Sequence, residues 1–140
     1  MREEFQKMKS MIYKPNIETE YLDKDSYNGI DYIIVSYGTH PCAYIRVPDT
    51  SKFYNIERSD APEELQNSVH GGITWAGPLS VRLKEPGFYL GWDYAHIGDF
   101  SGFDLNFPAV LQAGGKKWTT EEIFDDVKTI IDALIKLEAA

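Results

Sequence analysis

The 140-residue chain is predicted to fold as a single α+β domain, a mainly antiparallel sheet of about five strands with a C-terminal helix on one face. Three observations support this fold class. The length is close to the commonest size of one domain. Short β-rich runs alternate with Gly, Pro and Asn turn signals. One long amphipathic segment follows them. The predicted elements are an N-terminal helix at 1–16, sheet at 30–95, a long loop at 97–118 and a C-terminal helix at 119–138.

The N-terminal segment carries a narrow apolar stripe at helical spacing. Phe5, Met8 and Ile12 form the stripe, and Pro15 ends it. This pattern predicts a short helix at the edge of the domain. If that helix packs on a second copy, the chain forms a homo-oligomer. Residues 17–29 are polar and are interpreted as a connection that closes with an Asn-Gly turn.

The first two predicted strands form a hairpin. Two β-rich runs, 30–37 and 42–47, flank a four-residue turn that contains Gly38 and Pro41. Strand alternation divides the second run between two faces. Ala43, Ile45 and Val47 are predicted to face the core, with Cys42, Tyr44 and Arg46 on the other side.

Three more strands are predicted after a polar connection, in which residues 61–67 form one or two helical turns. They cover residues 69–76, 79–83 and 88–94 and are separated by Gly-Pro and Pro-Gly turns. Residues 97–118 show no clear periodicity, yet they are rich in aromatic residues, which argues against disorder. Loops of this length are usually functional, so a lid over a site is predicted here.

The C-terminal helix has the clearest signals. Thr119 and Glu122 fit a capping box, in which each side chain bonds the backbone of the other residue. Apolar residues then repeat at helical spacing, which predicts one buried face. They are Ile123, Val127, Ile130, Ile131, Leu134 and Leu137.

Composition and charge limit the possible functions. The net charge of −8 argues against broad nucleic-acid binding, which requires a basic surface, but leaves open a small anionic ligand. It also leaves open an inhibitor of protein interactions that acts through its acidic surface. The single cysteine, Cys42, excludes an internal disulfide and favours a reducing compartment. No apolar run approaches the length of a membrane span, and the start of the chain has no leader pattern, so we expect a cytoplasmic protein without membrane contact.

Two unusual runs mark the expected site: His70-Gly-Gly-Ile-Thr-Trp-Ala-Gly77 and Gly91-Trp-Asp-Tyr-Ala-His-Ile-Gly-Asp99. Together they hold two of the three histidines, two of the three tryptophans and five of the eleven glycines. A hairpin between the strands that carry them would bring the runs together. We therefore expect one ligand-binding site with residues from both runs.

Each residue type in these runs suits a role in binding. The two tryptophans could stack on a planar base. Polar side chains could form hydrogen bonds with the edges of that base. Adjacent glycines allow the backbone to approach the ligand closely. Arginines match the geometry of phosphate groups. The predicted ligand-binding residues are His70, Gly71, Gly72, Thr74, Trp75, Trp92, Asp93, His96, Asp99 and Arg46, with Arg82 as a further phosphate donor.

Other interpretations of the same residues remain open. His70, His96 and Asp93 could serve a small hydrolase, with or without a metal ion. In an extended strand Asp93 and His96 face opposite ways, so they converge only if the chain turns near Ala95. The glycines also fit a simple bulge, the aspartates turn capping, and the tryptophans sheet packing. We expect neither a cofactor nor a resident metal ion.

The two runs resemble an uncharacterised family of small proteins from phages, prophages and bacteria. The family pattern is a VHGG-aliphatic-T-aromatic-G strand followed by G-aromatic-D-x-A-H-x-GD. Residues 42–48 resemble its Cys-Gly-Tyr-Val-x-Val-Pro strand, with Ala43 where glycine is usual. The resemblance covers residues 40–137 and supplies no reaction. It implies a phage-encoded protein. Small phage proteins of this kind are often antagonists of host defence, and several unrelated ones act by sequestering nucleotide second messengers.

Together these observations predict a non-enzymatic binder of a small nucleotide-like ligand. The expected partners are that ligand, no membrane and no extended nucleic acid. The catalytic alternative is the small hydrolase described above.

Overall fold

The computed structural model describes residues 19–38, 40–95 and 117–140. In these ranges the chain forms a five-stranded antiparallel sheet in the order β1-β2-β3-β5-β4, with one long helix. The α+β class, the antiparallel sheet of five strands and the C-terminal helix are thus confirmed. The strands are β1 (Glu20–Tyr27), β2 (Ile30–Ser36), β3 (Pro41–Val47), β4 (Trp75–Leu79) and β5 (Glu85–Asp93); the helices are α1 (Glu63–Gln66) and α2 (Thr120–Glu138), with a 3-10 turn at Arg58–Asp60.

Some predictions lie outside the described residues. They are the N-terminal helix, nearly all of the 97–118 loop, and the proposed site residues His96 and Asp99.

The set of strands differs from the predicted set, although the number agrees. Strand β1 comes from the segment that was interpreted as a polar connection. It pairs along its length with β2 through a two-residue turn in which Asn28 and Gly29 have φ values of 48° and 81°. Positive φ at both central positions is the type I′ geometry that joins antiparallel strands tightly.

Two predicted strand segments are turns in the structure. Val69–Gly72 is closed by a bond from the Gly72 amide to the Val69 carbonyl (3.1 Å), and the sheet starts only at Trp75. Residues 80–83, predicted as strand, form a turn closed by the Leu83 amide and the Leu79 carbonyl (2.9 Å). The predicted pairing of the two motif segments is nevertheless confirmed, because Trp75 lies opposite Gly91.

The main core lies between the sheet and α2. The predicted capping box of α2 is present, with Thr119 and Glu122 each bonding the other's backbone. Five of the six predicted apolar positions on this helix are buried, and Leu137 is half-buried. The inward-facing set on β3 is also confirmed, since Ala43, Ile45 and Val47 are all at most 1% exposed.

The opposite side of the sheet carries a second, smaller apolar cluster that no described helix covers. We call this side the strap face. Its cluster combines strand residues with one leucine, Leu83, from the β4–β5 connection; the buried members are Ile33, Val35, Cys42, Tyr44, Leu79, Leu83 and Tyr89.

The β4–β5 connection folds back across this face, and we call residues 80–84 the strap. The Tyr21 hydroxyl of β1 donates to the Leu83 carbonyl (3.3 Å). Next to it, the Lys24 ammonium contacts the Glu85 carboxylate (2.7 Å). Leu83 therefore covers the sheet where a second helical layer would otherwise be needed.

Candidate functional site

Strand alternation divides the predicted site between the two faces of the sheet. Trp92 pairs with Ala43 and belongs to the core beneath α2, whereas Asp93 pairs with Cys42 on the strap face. His70 lies on the α2 side, where it contacts Tyr94. Thr74 and Trp75 lie with Asp93 on the strap face, next to Cys42. The two motif runs thus contribute to two clusters instead of one.

The cluster on the α2 side is built around Asp126 of that helix. Its carboxylate accepts a bond from the Tyr94 hydroxyl (2.7 Å) and one from the His70 backbone amide (3.3 Å). The His70 ring stacks on Tyr94 with ring centres 5.3 Å apart and lies 4.6 Å from the Trp118 ring. These contacts tie the His70 turn to α2.

Trp92, which was predicted to bind the ligand, is part of the same buried network. Its indole N–H donates to the Tyr94 hydroxyl (2.9 Å), and only 1% of the residue is exposed. A ring buried on the α2 side cannot stack on a ligand unless the core opens. Trp92 also borders a pocket on the strap face. Because side chains alternate between the two faces of a strand, Trp92 contributes only its backbone to the strap face.

The paired glycines form a turn against α1. Gly71 and Gly72 have φ values of 72° and 83°, which favour glycine. A Cβ on Gly72 would lie 3.5 Å from Oε1 of Gln66, and the same oxygen accepts from the Ile73 amide (3.0 Å). These glycines shape the chain that leads into β4.

The strap face holds a pocket of about 390 Å³ beside the strap. Its walls are aromatic and its rim is polar. The aromatic residues are Tyr37, Tyr44 and Trp75; the polar residues are His40, Thr74, Arg82 and Asp93; Cys42 and the Trp92 backbone complete the lining.

Gly91 makes room for one of these aromatic walls. It lies between Tyr44 and Trp75 in the sheet. A Cβ added there would come within 2.4 Å of Cδ1 of the Tyr44 ring. The ring therefore lies against the Gly91 backbone, and its hydroxyl shares a bond with the Tyr37 hydroxyl (2.9 Å).

A carboxylate and a guanidinium border the pocket. The Asp93 carboxylate accepts from the Thr74 hydroxyl (3.3 Å) and from the Ala95 amide (3.2 Å). The Arg82 guanidinium lies 4.6 Å from the centre of the Tyr37 ring, a cation–π geometry. The pocket therefore combines acceptor, donor and aromatic groups within one cavity.

The chemistry of Cys42 follows from its position in this pocket. Burial, reinforced by the negative charge of Asp93, raises the pKa of its thiol to about 12, with Arg82 acting in the opposite direction. A thiol in this state stays protonated at neutral pH and is a poor nucleophile. Burial likewise raises the pKa of the Tyr44 and Tyr37 hydroxyls, which act as neutral hydrogen-bonding groups.

Arg46 does not belong to this pocket. Its side chain lies over Gly87, where a Cβ would come within 2.5 Å of its Nε atom, and it borders a neighbouring pocket with Lys24 and Glu85. The sequence suggested two arginines as phosphate donors. Of these two, Arg82, which lies on the strap, lines the pocket that contains Trp75, and Arg46 does not.

Sequence reasoning missed four residues of the pocket. They come from the β2–β3 hairpin and are Tyr37, His40, Cys42 and Tyr44. Strand alternation had already assigned Tyr44 to the face opposite the core, so its presence on the strap face could have been predicted. The strap on the same face was not predicted. Without the strap, the sequence did not indicate that the aromatic residues on this face line a pocket.

Comparison with protein-family models, curated proteins and solved structures finds no match to this chain. Within the described ranges, no cluster of three or more His, Cys, Asp or Glu side chains is arranged to hold a metal ion. Among those same residues, no helix combines the length and apolar character needed to cross a bilayer.

Proposed function

We propose that this chain is a small-molecule-binding protein whose strap-face pocket holds a nucleotide-type ligand. The observation that carries the proposal is the convergence of Trp75, Tyr44 and Tyr37 with Thr74, Arg82 and Asp93 around one cavity of about 390 Å³. That volume falls within the usual range for ligand pockets, about 300–1,000 Å³. Four of these six residues were suggested by the sequence: Thr74, Trp75 and Asp93, with Arg82 as a further phosphate donor.

The chemistry of the pocket favours a planar ring that carries an anionic group. Trp75 and Tyr37, which are both half-buried, offer faces on which a base can stack, a contact worth about 1–3 kcal/mol per base. The Arg82 guanidinium suits a phosphate, and Thr74 and Asp93 suit the polar edge of a ring. The net charge of −8 leaves little attraction for an extended nucleic acid, so a small ligand fits better.

The biological part of the proposal rests on the resemblance of the two motif runs to the phage and prophage family. We propose a phage-encoded protein that counteracts host defence by sequestering a nucleotide signal. A binder without catalysis suits that role, because holding the signal is enough to silence it.

Hydrolysis is the outcome that the test must separate from sequestration. His70 and Asp93, two of the three residues assigned to a hydrolase, lie on opposite faces of the sheet. The protonated thiol of Cys42 adds no nucleophile. These observations support binding over catalysis, and the acidic-surface inhibitor has no specific contact in its favour.

The test is calorimetric titration of the full chain with a panel of mononucleotides and cyclic nucleotides, followed by analysis of the ligand released on heating. We expect saturable binding of at least one nucleotide and its recovery intact. Recovery of a cleaved product would instead establish the hydrolase. Absence of binding by every nucleotide would overturn the proposal and direct attention to a protein partner.

The matched variants Arg82→Ala and Arg58→Ala localise the binding. Arg58 is also an exposed arginine, but it lies in the 3-10 turn. Hydrogen bonds to charged groups contribute about 1.5–3 kcal/mol, so Arg82→Ala should weaken binding by about ten-fold or more. Arg58→Ala should leave the affinity unchanged, and equal effects of the two variants would argue against this pocket.

A further inference from the structure

The polar edge of the pocket favours one pattern of hydrogen-bond donors on the ligand, which a site for any nucleotide would not need. Among the described residues that line it, the acidic group is one carboxylate, Asp93, which lies next to the Thr74 hydroxyl. A carboxylate only accepts hydrogen bonds, and its two oxygens lie side by side. A ligand edge that meets it well therefore presents two adjacent N–H donors.

Contacts to Ala95 and Thr74 help to orient the Asp93 carboxylate. The Ala95 amide donates to Oδ1 (3.2 Å), and the Thr74 hydroxyl donates to Oδ2 (3.3 Å). The bond to Ala95 belongs to the backbone and remains when a ligand enters. The Thr74 hydroxyl can rotate, so its proton can turn toward the ligand while a ring N–H takes its place on Asp93.

Asp93 and the Trp75 ring border the same cavity. Asp93 follows Gly91 by two residues on the same face of β5, about 7 Å along the strand. Gly91 is paired with both Trp75 and Tyr44, and the Trp75 indole extends along β4 over Gly77, where its N–H donates to the Gly77 carbonyl (3.3 Å). Because Trp75 and Asp93 both line the cavity of about 390 Å³, a purine that contacts the Trp75 ring can present an edge to Asp93, next to the small side chain of Cys42.

We infer that the pocket recognises a guanine ring through the Asp93 carboxylate, so that the ligand is a guanine nucleotide. Guanine presents N1–H and its 2-amino group side by side, the donor pair that a carboxylate accepts. Adenine presents an unprotonated N1 on that edge, which would face the negative oxygens. Xanthine presents N1–H beside a carbonyl oxygen, which Asp93 would also reject. This inference rests on the proposed function and names its ligand class.

The test compares guanosine, adenosine and xanthosine 5′-monophosphates by calorimetry on the wild-type chain and on Asp93→Asn. Wild type should bind the guanine nucleotide about ten-fold or more tightly than either other nucleotide, since a well-matched pair of bonds discriminates to that degree. In Asp93→Asn one oxygen becomes an N–H₂ donor. The variant should therefore lose the guanine preference and favour xanthine, whose edge pairs a donor with an acceptor.

The outcomes separate this inference from the proposed function. Equal binding of adenine and guanine nucleotides by wild type would overturn the guanine assignment and leave a nucleotide site. An unchanged guanine preference in folded Asp93→Asn would also overturn it. Failure of every nucleotide to bind would remove the proposed function itself. The wild-type comparison decides the question even if the variant does not fold.

Discussion

Gly91 shows how one missing side chain shapes the pocket. A Cβ there would lie 2.4 Å and 2.6 Å from two atoms of the buried Tyr44 ring. Glycine in a strand often marks such a close approach. Gly91, which was not among the predicted ligand-binding residues, thus makes room for an aromatic wall of the site.

Gly91→Ala should therefore be destabilising, and Gly77→Ala provides the matched control. Overpacking of this kind costs about 1–3 kcal/mol. Gly77 is also a buried strand glycine, but a Cβ there would lie 3.5 Å from the Trp75 ring, an ordinary contact. We expect thermal unfolding to show a clearly lower midpoint for Gly91→Ala than for Gly77→Ala. Equal midpoints would show that Tyr44 moves away freely.

Asp126 is a second residue whose role is defined by its contacts. Its carboxylate accepts from the hydroxyl of Tyr94, a residue with no exposed surface, and from the His70 amide. Asp126→Ala should destabilise the fold by about 1–3 kcal/mol, because the Tyr94 hydroxyl would be buried without this acceptor.

Asp125→Ala is the control for this prediction. Its carboxylate is exposed and pairs with Lys128 at 3.2 Å, a contact worth at most a few tenths of a kcal/mol. Urea denaturation measures both variants. A loss of stability no greater for Asp126→Ala than for Asp125→Ala would contradict the anchoring role of the helix.

Cys42 allows a chemical test of pocket burial. Burial raises the pKa of its thiol from the ordinary 9.0 to about 12, so its thiolate fraction at pH 8 is roughly a thousand-fold lower than in the unfolded chain. Iodoacetamide should label the native protein far more slowly than the urea-unfolded protein. Equal labelling rates would show an accessible thiol.

The raised pKa of Cys42 also predicts how the stability of the fold depends on pH. Below pH 9 the thiol is protonated in both states and contributes no pH dependence. Between pH 9 and about 12 the unfolded chain loses this proton while the folded chain retains it. The contribution of Cys42 to stability is therefore lost as the pH rises through that window.

At the scale of elements, the strap is the described segment that packs across the second face of the sheet, where none of the described helices lies. Leu83 is 9% exposed and packs in the second cluster, whereas Val81, two residues away on the same strap, is 95% exposed. One side chain of the strap is therefore buried against the sheet, and another contributes nothing to packing.

Leu83→Ala should cost about 2–5 kcal/mol, and Val81→Ala should change stability by less than about 0.5 kcal/mol. Leu83→Ala should also weaken nucleotide binding, because the strap carries Arg82. Calorimetric unfolding and ligand titration of the two variants measure both effects. Similar stabilities for the two variants would contradict the view that the strap closes the second cluster.

The elements differ in how far the sequence could predict them. Helix α2 was predicted with its cap and its buried face, because its apolar period and capping box are local signals. Strand β1 was missed, since its side chains are exposed or half-buried and so show no alternation of polar and apolar residues. Its Asn28-Gly29 turn was recognised but was not taken as a hairpin.

The candidate site was predictable only in part. Pairing of the two motif segments followed from their β-rich patterns, and Thr74, Trp75 and Asp93 do meet. The separation of Trp92 from Asp93 follows from alternation once the strand is known. The strap and Tyr37 could not be predicted, because the chain folds back over the sheet through contacts between β1 and residues about 60 positions away.

At the scale of the whole molecule, the sheet in the described ranges separates a packed core from the face that carries the proposed ligand site. Its α2 side is a conventional core in which His70, Trp92 and Tyr94 are tied to Asp126. Its strap side holds fewer apolar residues and leaves a cavity with aromatic walls. Stability is thus concentrated on one face, and ligand contacts are proposed for the other.

The most direct test of this division is an NMR titration of the three tryptophan indole N–H resonances with guanosine 5′-monophosphate. Trp75 borders the proposed site, whereas Trp92 is buried beneath α2 and Trp118 packs on His70. We predict a saturable shift of the Trp75 resonance, with the Trp92 and Trp118 resonances nearly unchanged. Saturable shifts at Trp92 or Trp118 with Trp75 unchanged, or no shift at any of the three, would contradict the account.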